Sequence, residues 1–145
     1  MEGLTPVVNL FSGCDYHRIT LPLRYLGVDV KDFIDADPVG TLKNTKALMF
    51  NRNPDCGIGA FEHYRNKFGF KLICDVDDYW ELYPNHILYK DWNSNKMPQK
   101  IAYNMSISDV VFTTTTRLAD RIRPINKNVY VIPNGLPFGR DQFHE

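Results

Sequence analysis

The sequence predicts an α/β fold, a mostly parallel sheet with helices on both faces. Short apolar runs bounded by Pro, Gly or Asn read as buried strands, and between them apolar residues return at helical spacing. Glycines stand where two of the helical stretches should end, at Gly27 and Gly69. Strands alternating with helices build right-handed βαβ units, which lay helices over the sheet.

The first strand is expected in Val7-Val8-Asn9-Leu10-Phe11, between Pro6 and the turn Ser12-Gly13. Ile19, Leu23 and Leu26 then share one face of a helix that Gly27 closes. Pro22 belongs in or near its first turn, or kinks it, because a proline deeper inside a helix costs about 3 kcal/mol. Val28-Asp29-Val30 reads as a short second strand and Ala47-Leu48-Met49-Phe50 as a third, after a polar linker. Ile58, Phe61, Tyr64 and Phe68 restore the helical period up to Gly69. Phe70-Lys71-Leu72-Ile73-Cys74 is the next strand and runs into Asp75-Val76-Asp77-Asp78-Tyr79-Trp80. Residues 81–97 hold Pro84, several Asn and bulky aromatics without a sustained period, so a long loop with at most a turn of helix is expected there. Pro98 suits a helix start, with Ile101, Ala102 and Met105 facing inward. Asp109-Val110-Val111-Phe112 is a strand and Thr113 to Thr116 lead into a short helix, with Thr115 or Thr116 as its N-cap. Val129-Tyr130-Val131-Ile132 closes the sheet before Pro133-Asn134-Gly135, a tight turn in which Gly135 allows positive φ. The whole reads as a single Rossmann-like domain. Ligands in such sheets gather at the carboxyl ends of the strands, near the point where strand order reverses.

Composition narrows the function. Lys+Arg and Asp+Glu both number 17, a formal net charge of +0, which argues against a nucleic-acid partner because phosphate backbones select clustered positive charge. Aromatics make up 13% of the chain, enough for a large aromatic core or for exposed stacking platforms. Cys14, Cys56 and Cys74 are odd in number and widely spaced, which fits neither a disulfide framework nor a zinc site. No segment approaches the roughly 20 apolar residues of a membrane span, and the N-terminus shows no basic region followed by an apolar run. A cytoplasmic protein is the expectation. Asn104-Met105-Ser106 matches a glycosylation sequon, read here as chance.

Two strand-end loops carry chemistry. Ser12-Gly13-Cys14-Asp15-Tyr16-His17-Arg18 is a glycine turn opening a helix, where free backbone N–H groups, the helix dipole and Arg18 attract anions such as a phosphate. It lacks the G-x-G-x-x-G fingerprint of dinucleotide sites, and an ordinary strand-to-helix turn has the same look. Cys14 reads as a small filler. Asp75, Asp77 and Asp78 repel one another, so one of them is expected to be protonated, metal-bound, or held by Arg or backbone donors. A D-x-D group holding a divalent metal with a nucleotide sugar and a simple helix cap both remain open, while a phosphotransferase-type aspartate pair would be expected on the first strand and not on this later one. Tyr79, Trp80 and Tyr83 follow at once, and rings beside carboxylates suit sugars, whose C–H faces stack while hydroxyls donate, although packing into the core explains such rings equally well.

From Val110 through Thr113-Thr114-Thr115-Thr116 to Pro133-Asn134-Gly135, the order of parts resembles the end of the N-terminal domain of GT-B-fold glycosyltransferases of the retaining, family 4-like kind. Tyr16-His17-Arg18-Ile19 followed by Pro22 and Leu26-Gly27 resembles a variant in bacterial and phage members, and Asp77-Asp78-Tyr79-Trp80 resembles an acceptor-side segment that works without metal. The resemblance implies that residues 1–136 form a Rossmann-like acceptor-side domain and residues 137–145 begin a linker or tail. It implies transfer of a sugar from a nucleotide-sugar donor, a co-substrate and not a bound cofactor, to a glycan or other acceptor. Most of the donor would belong to a second, C-terminal domain, and this chain alone would be inactive. By the same resemblance Asp77, Asp78 and His17 are the expected catalytic residues, with no metal. Gly13, Tyr16, Arg18, Asp75, Tyr79, Trp80, Thr114, Asn134 and Gly135 are the expected substrate contacts. The competing expectation is a stand-alone, non-catalytic binding module, and a reading frame continuing past Glu145 in α/β pattern separates the two.

Overall fold

The computed structural model describes residues 3–9, 12–28, 30, 38–54 and 58–135. Five strands, β1 (Leu4–Val7), β2 (Ala47–Asn51), β3 (Lys71–Val76), β4 (Val110–Thr113) and β5 (Val129–Val131), form one all-parallel sheet in the order β1-β2-β3-β4-β5. The helices are α1 (Gly13–Asp15), running through a π-helical stretch (Tyr16–Thr20) into α2 (Leu21–Tyr25), then α3 (Pro38–Lys43), α4 (Ile58–Phe68), α5 (Tyr89–Ser94), α6 (Met97–Ile107) and α7 (Thr116–Ile122). The α/β, Rossmann-like expectation holds. No reversal of strand order occurs among these strands, so the expected switch point is replaced by a sheet that grows steadily in one direction.

That ordering decides where the helices lie. Right-handed crossovers that always step the same way deposit their helices on the same face. Accordingly Leu42 of α3, Phe61 of α4, Ile101 and Met105 of α6, and Leu118 and Ile122 of α7 bury together against Leu48, Phe50, Leu72 and Val111. The opposite face is met by the segment from α1 to α2, whose Ile19 and Leu23 pack with Val8, Val30 and Met49. Strand parity follows from these two cores: in β3, Leu72, Cys74 and Val76 point to the first, and Ile73 and Asp75 to the second.

Several expectations shift by a residue or two. β1 begins earlier than expected and contains Pro6. Lys46 and Ala47 both donate to the Gly3 carbonyl, so by alternation Pro6 turns its missing N–H away from β2, where a proline costs no ladder bond. Val28 and Val30 lie in no described strand but join the second core, while Leu10, Phe11 and Asp29 lie outside the described residues. Pro22 sits at the start of α2, directly after the π-helical stretch, where i→i+5 bonding relaxes the demand for regular donors. Leu26 is 64% exposed and does not share the buried face of Ile19 and Leu23. It lies beyond the last helical turn, where Gly27, at φ 74°, sends the chain away. Gly69, at φ 77°, ends α4 as expected, and its N–H donates to the Arg65 carbonyl at 2.8 Å. Gly135 is not among the glycines of positive φ, so its place in the last turn rests on no left-handed requirement. Asn104 is fully buried and donates to the Arg52 carbonyl, which removes it as a glycan acceptor. No described helix is long and apolar enough to cross a membrane.

Candidate functional site

The carboxyl ends of the parallel strands bring together four pieces of chain far apart in sequence. Asp75 is the fifth residue of β3, not a loop residue, and its parity aims it at the helix from α1 to α2. There Arg18 meets it in a two-pronged pair, Nη2 to Oδ1 at 2.6 Å and Nε to Oδ2 at 3.1 Å. Arg18 Nη1 also donates to the Ile132 carbonyl and to Asn134 Oδ1, both at 2.9 Å. Asn51, at the end of β2, donates to Asp75 Oδ2 at 3.0 Å and to Asp77 Oδ1 at 3.2 Å. One buried guanidinium thus ties β3 to the segment after β5. Burial pushes the Asp75 carboxyl above the usual range, against the pull of Arg18 and Asn51.

Arg52 follows at the tip of β2 in a left-handed backbone conformation, φ 45°, which costs energy for any residue with a Cβ. Its N–H donates to the Asp75 carbonyl at 2.8 Å, and its own carbonyl accepts from Asn104 of α6 at 2.9 Å, so two elements hold the conformation. The side chain reaches Asn51 Oδ1 at 3.0 Å, Cys14 Sγ at 3.4 Å and Asp77 at 3.6 Å.

Beyond this network opens a polar cleft of about 590 Å³ between the loop after β3 and the start of α7. Asp77, Asp78, Glu81, Tyr79 and Tyr83 line one side, and Thr114, Arg117 and Arg121 the other. Thr114 Oγ1 donates to the Asp77 carbonyl at 3.0 Å and fixes the width of the floor. Thr115 is the N-cap of α7, its hydroxyl accepting from the Leu118 N–H at 3.2 Å. Tyr83 is 77% exposed and Asp78 is open to solvent. The Tyr79 hydroxyl donates to Glu81 at 2.9 Å, a bond that pushes its own pKa upward.

A second concavity lies on the other sheet face. It is an apolar groove of about 770 Å³ floored by Met49, Ile73 and Phe112 and walled by Leu21 and Pro22 of α2, with Gly135 at one end. His17 opens onto this groove, so the structure does not place it in the cleft with Asp77 and Asp78. Tyr16 stands edge-on to the His17 ring at 5.2 Å. Gly13, in α1, is exposed. Trp80 is 5% exposed and belongs to the first core, and its carbonyl accepts from Trp92 Nε1, so it offers no stacking face. Arg18 is likewise buried and already spent on protein partners. Of the expected contacts, Asp77, Asp78, Tyr79 and Thr114 share the cleft. Asp75, Arg18 and Asn134 share the network around the buried guanidinium instead, and with His17 and Gly135 they line the apolar groove.

Sequence reasoning missed Asn51 and Arg52, although Asn51-Arg52-Asn53-Pro54 at a strand end was the available signal. It missed Arg117 and Arg121 as well, whose spacing on α7 was visible. Cys14 Sγ, Asp77 and Asp78 offer ligand atoms within 4.8 Å of one another. The donor set suits a metal poorly: burial and then Asp77 push the Cys14 thiol up to about 11, and the Arg52 guanidinium already stands at Cys14 and Asp77.

The fold and the cleft define a Rossmann-like α/β domain with a mixed-charge, tyrosine-edged site at its strand ends. No family model matches the chain, and no curated protein matches it in sequence.

Proposed function

We propose that the chain is the acceptor-side domain of a GT-B-type glycosyltransferase, binding a saccharide acceptor in the cleft after β3 and β4. The donor nucleotide sugar is held mainly by a second domain. The observation that carries the reading is the meeting of three carboxylates, Asp77, Asp78 and Glu81, with two exposed tyrosines in one open cleft at the carboxyl ends of parallel strands. Sugar recognition uses that combination, with ring faces for C–H surfaces and carboxylates for hydroxyl donors.

In this reading Asp78, which has no ion pair among the described residues, accepts from the reacting acceptor hydroxyl. Asp77, fixed by Asn51 and near Arg52, orients the neighbouring hydroxyl. The Arg18–Asp75 pair acts at one remove by holding the β5 end, and so Asn134, in place. His17 takes no part. The test is sugar transfer by the protein that carries this chain together with a donor-binding domain. Asp78→Asn should lower kcat by about two orders of magnitude, the usual scale for a positioned proton acceptor, with the unfolding midpoint unchanged. Unchanged transfer by both Asp77→Asn and Asp78→Asn would count against the proposal.

A further inference from the structure

The cleft has walls of opposite charge. Asp77, Asp78 and Glu81 stand on the loop after β3, while Arg117 and Arg121, four residues apart on α7, share one helix face across from them. Other cations near carboxylates pair off: Arg123, which caps the end of α7, with Asp120, Arg65 and Lys71 with Asp109, Arg52 with Asp77. Arg117 and Arg121 form no ion pair among the described residues. Glu81 is turned instead to the Tyr79 hydroxyl. Two open guanidinia beside a cavity of about 590 Å³ therefore face the carboxylates without closing on them. Guanidinium donors match compact oxyanions in two-pronged geometry, and a nearby second guanidinium adds to the attraction.

The geometry points to Arg117 and Arg121 as the site for an anionic group, phosphate or carboxylate, carried by the saccharide that enters this cleft. The inference rests on the carbohydrate reading above. Bound this way, the sugar is oriented from both sides: its anion goes to α7 and its hydroxyls to Asp77 and Asp78. The same carboxylates repel an anion presented in the reverse sense.

The test is calorimetric titration of this chain with glucose 6-phosphate, glucuronate, glucose and inorganic phosphate, in wild type, Arg117→Gln/Arg121→Gln and Arg117→Lys/Arg121→Lys. Both arginines are exposed, so the variants should keep the wild-type unfolding midpoint. A charged sugar should bind about tenfold or more tightly than glucose. The glutamine pair should erase that preference, the lysine pair should restore part of it, and added salt should weaken it. A preference between glucose 6-phosphate and glucuronate identifies which anion the site takes. Undiminished binding of the charged sugars by the glutamine pair, or no binding of either by wild type, overturns the inference. Glucose binding as tightly as the charged sugars, and lost only in Asp78→Asn, overturns the inference but leaves the carbohydrate reading standing. Inorganic phosphate binding as tightly as glucose 6-phosphate, and lost in the glutamine pair, upholds the anion site and overturns the carbohydrate reading.

Discussion

Arg18 and Asp75 show how much one residue pair can organise. Both side chains are buried, and between them they reach β2, β3 and the segment after β5. Breaking a buried pair by removing one partner strands the other, at a cost of about 3–5 kcal/mol. Arg18→Met should therefore lower stability by that order in urea titrations near neutral pH. The loss should shrink as pH falls, because Asp75 without its partner escapes the penalty by taking up a proton. A loss that does not change with pH would mean that packing, not charge, is what the arginine supplies. Asp109 titrates in the opposite sense. Despite partial burial, the Leu72 N–H, Lys71 and Arg65 bring its carboxyl below the ordinary value of 3.8. A carboxyl depressed by folding contributes stability that is complete above its unfolded pKa and disappears as pH falls through its folded one. Asp109→Asn should thus be less stable than wild type at neutral pH, with the gap closing as the solution is taken below pH 3.8. A gap that persists in acid would contradict this.

Among the elements, those with strong local signals were legible in the sequence. β2, α4 and α6 fall where apolar runs or helical spacing place them, and Thr115 caps α7 as its position before Leu118 and Ala119 implies. Thr115→Ala should cost about 1 kcal/mol, read as a shift in the denaturation midpoint, while Thr116→Ala, one residue inside the helix, should cost little. Equal effects would place the cap elsewhere. What the sequence concealed depended on parity and neighbours. Asp75 read as a loop residue because a carboxylate in a buried strand is costly alone, and Arg18, remote in sequence, is what makes it tolerable. Trp80 read as a stacking platform because an aromatic beside carboxylates looks the same whether it faces solvent or core. The left-handed Arg52 has no sequence signature, since its conformation is held by Asn104 and the β3 backbone.

On the scale of the whole molecule, the sheet order does most to set the site. A steady progression from β1 to β5 sends α3, α4, α6 and α7 to one face and leaves the other to the segment from α1 to α2. Every strand is parallel, so every strand end opens on the same edge, and residues as distant as Arg18, Asn51, Asp77 and Thr114 meet there. The sheet and its parallel sense could be read from alternating patterns. The separation of His17 from Asp77 and Asp78 could not, because it follows from which side of the sheet the first helix takes. The most direct test of the central claim, that the polar cleft is a saccharide site, is titration of this chain with a panel of acceptor glycans and nucleotide sugars. At least one glycan should bind without added metal and lose about tenfold or more in affinity in Asp78→Asn, with nucleotide sugars binding weakly or not at all. Tight, metal-dependent binding of a nucleotide sugar, with no glycan bound, would contradict the account.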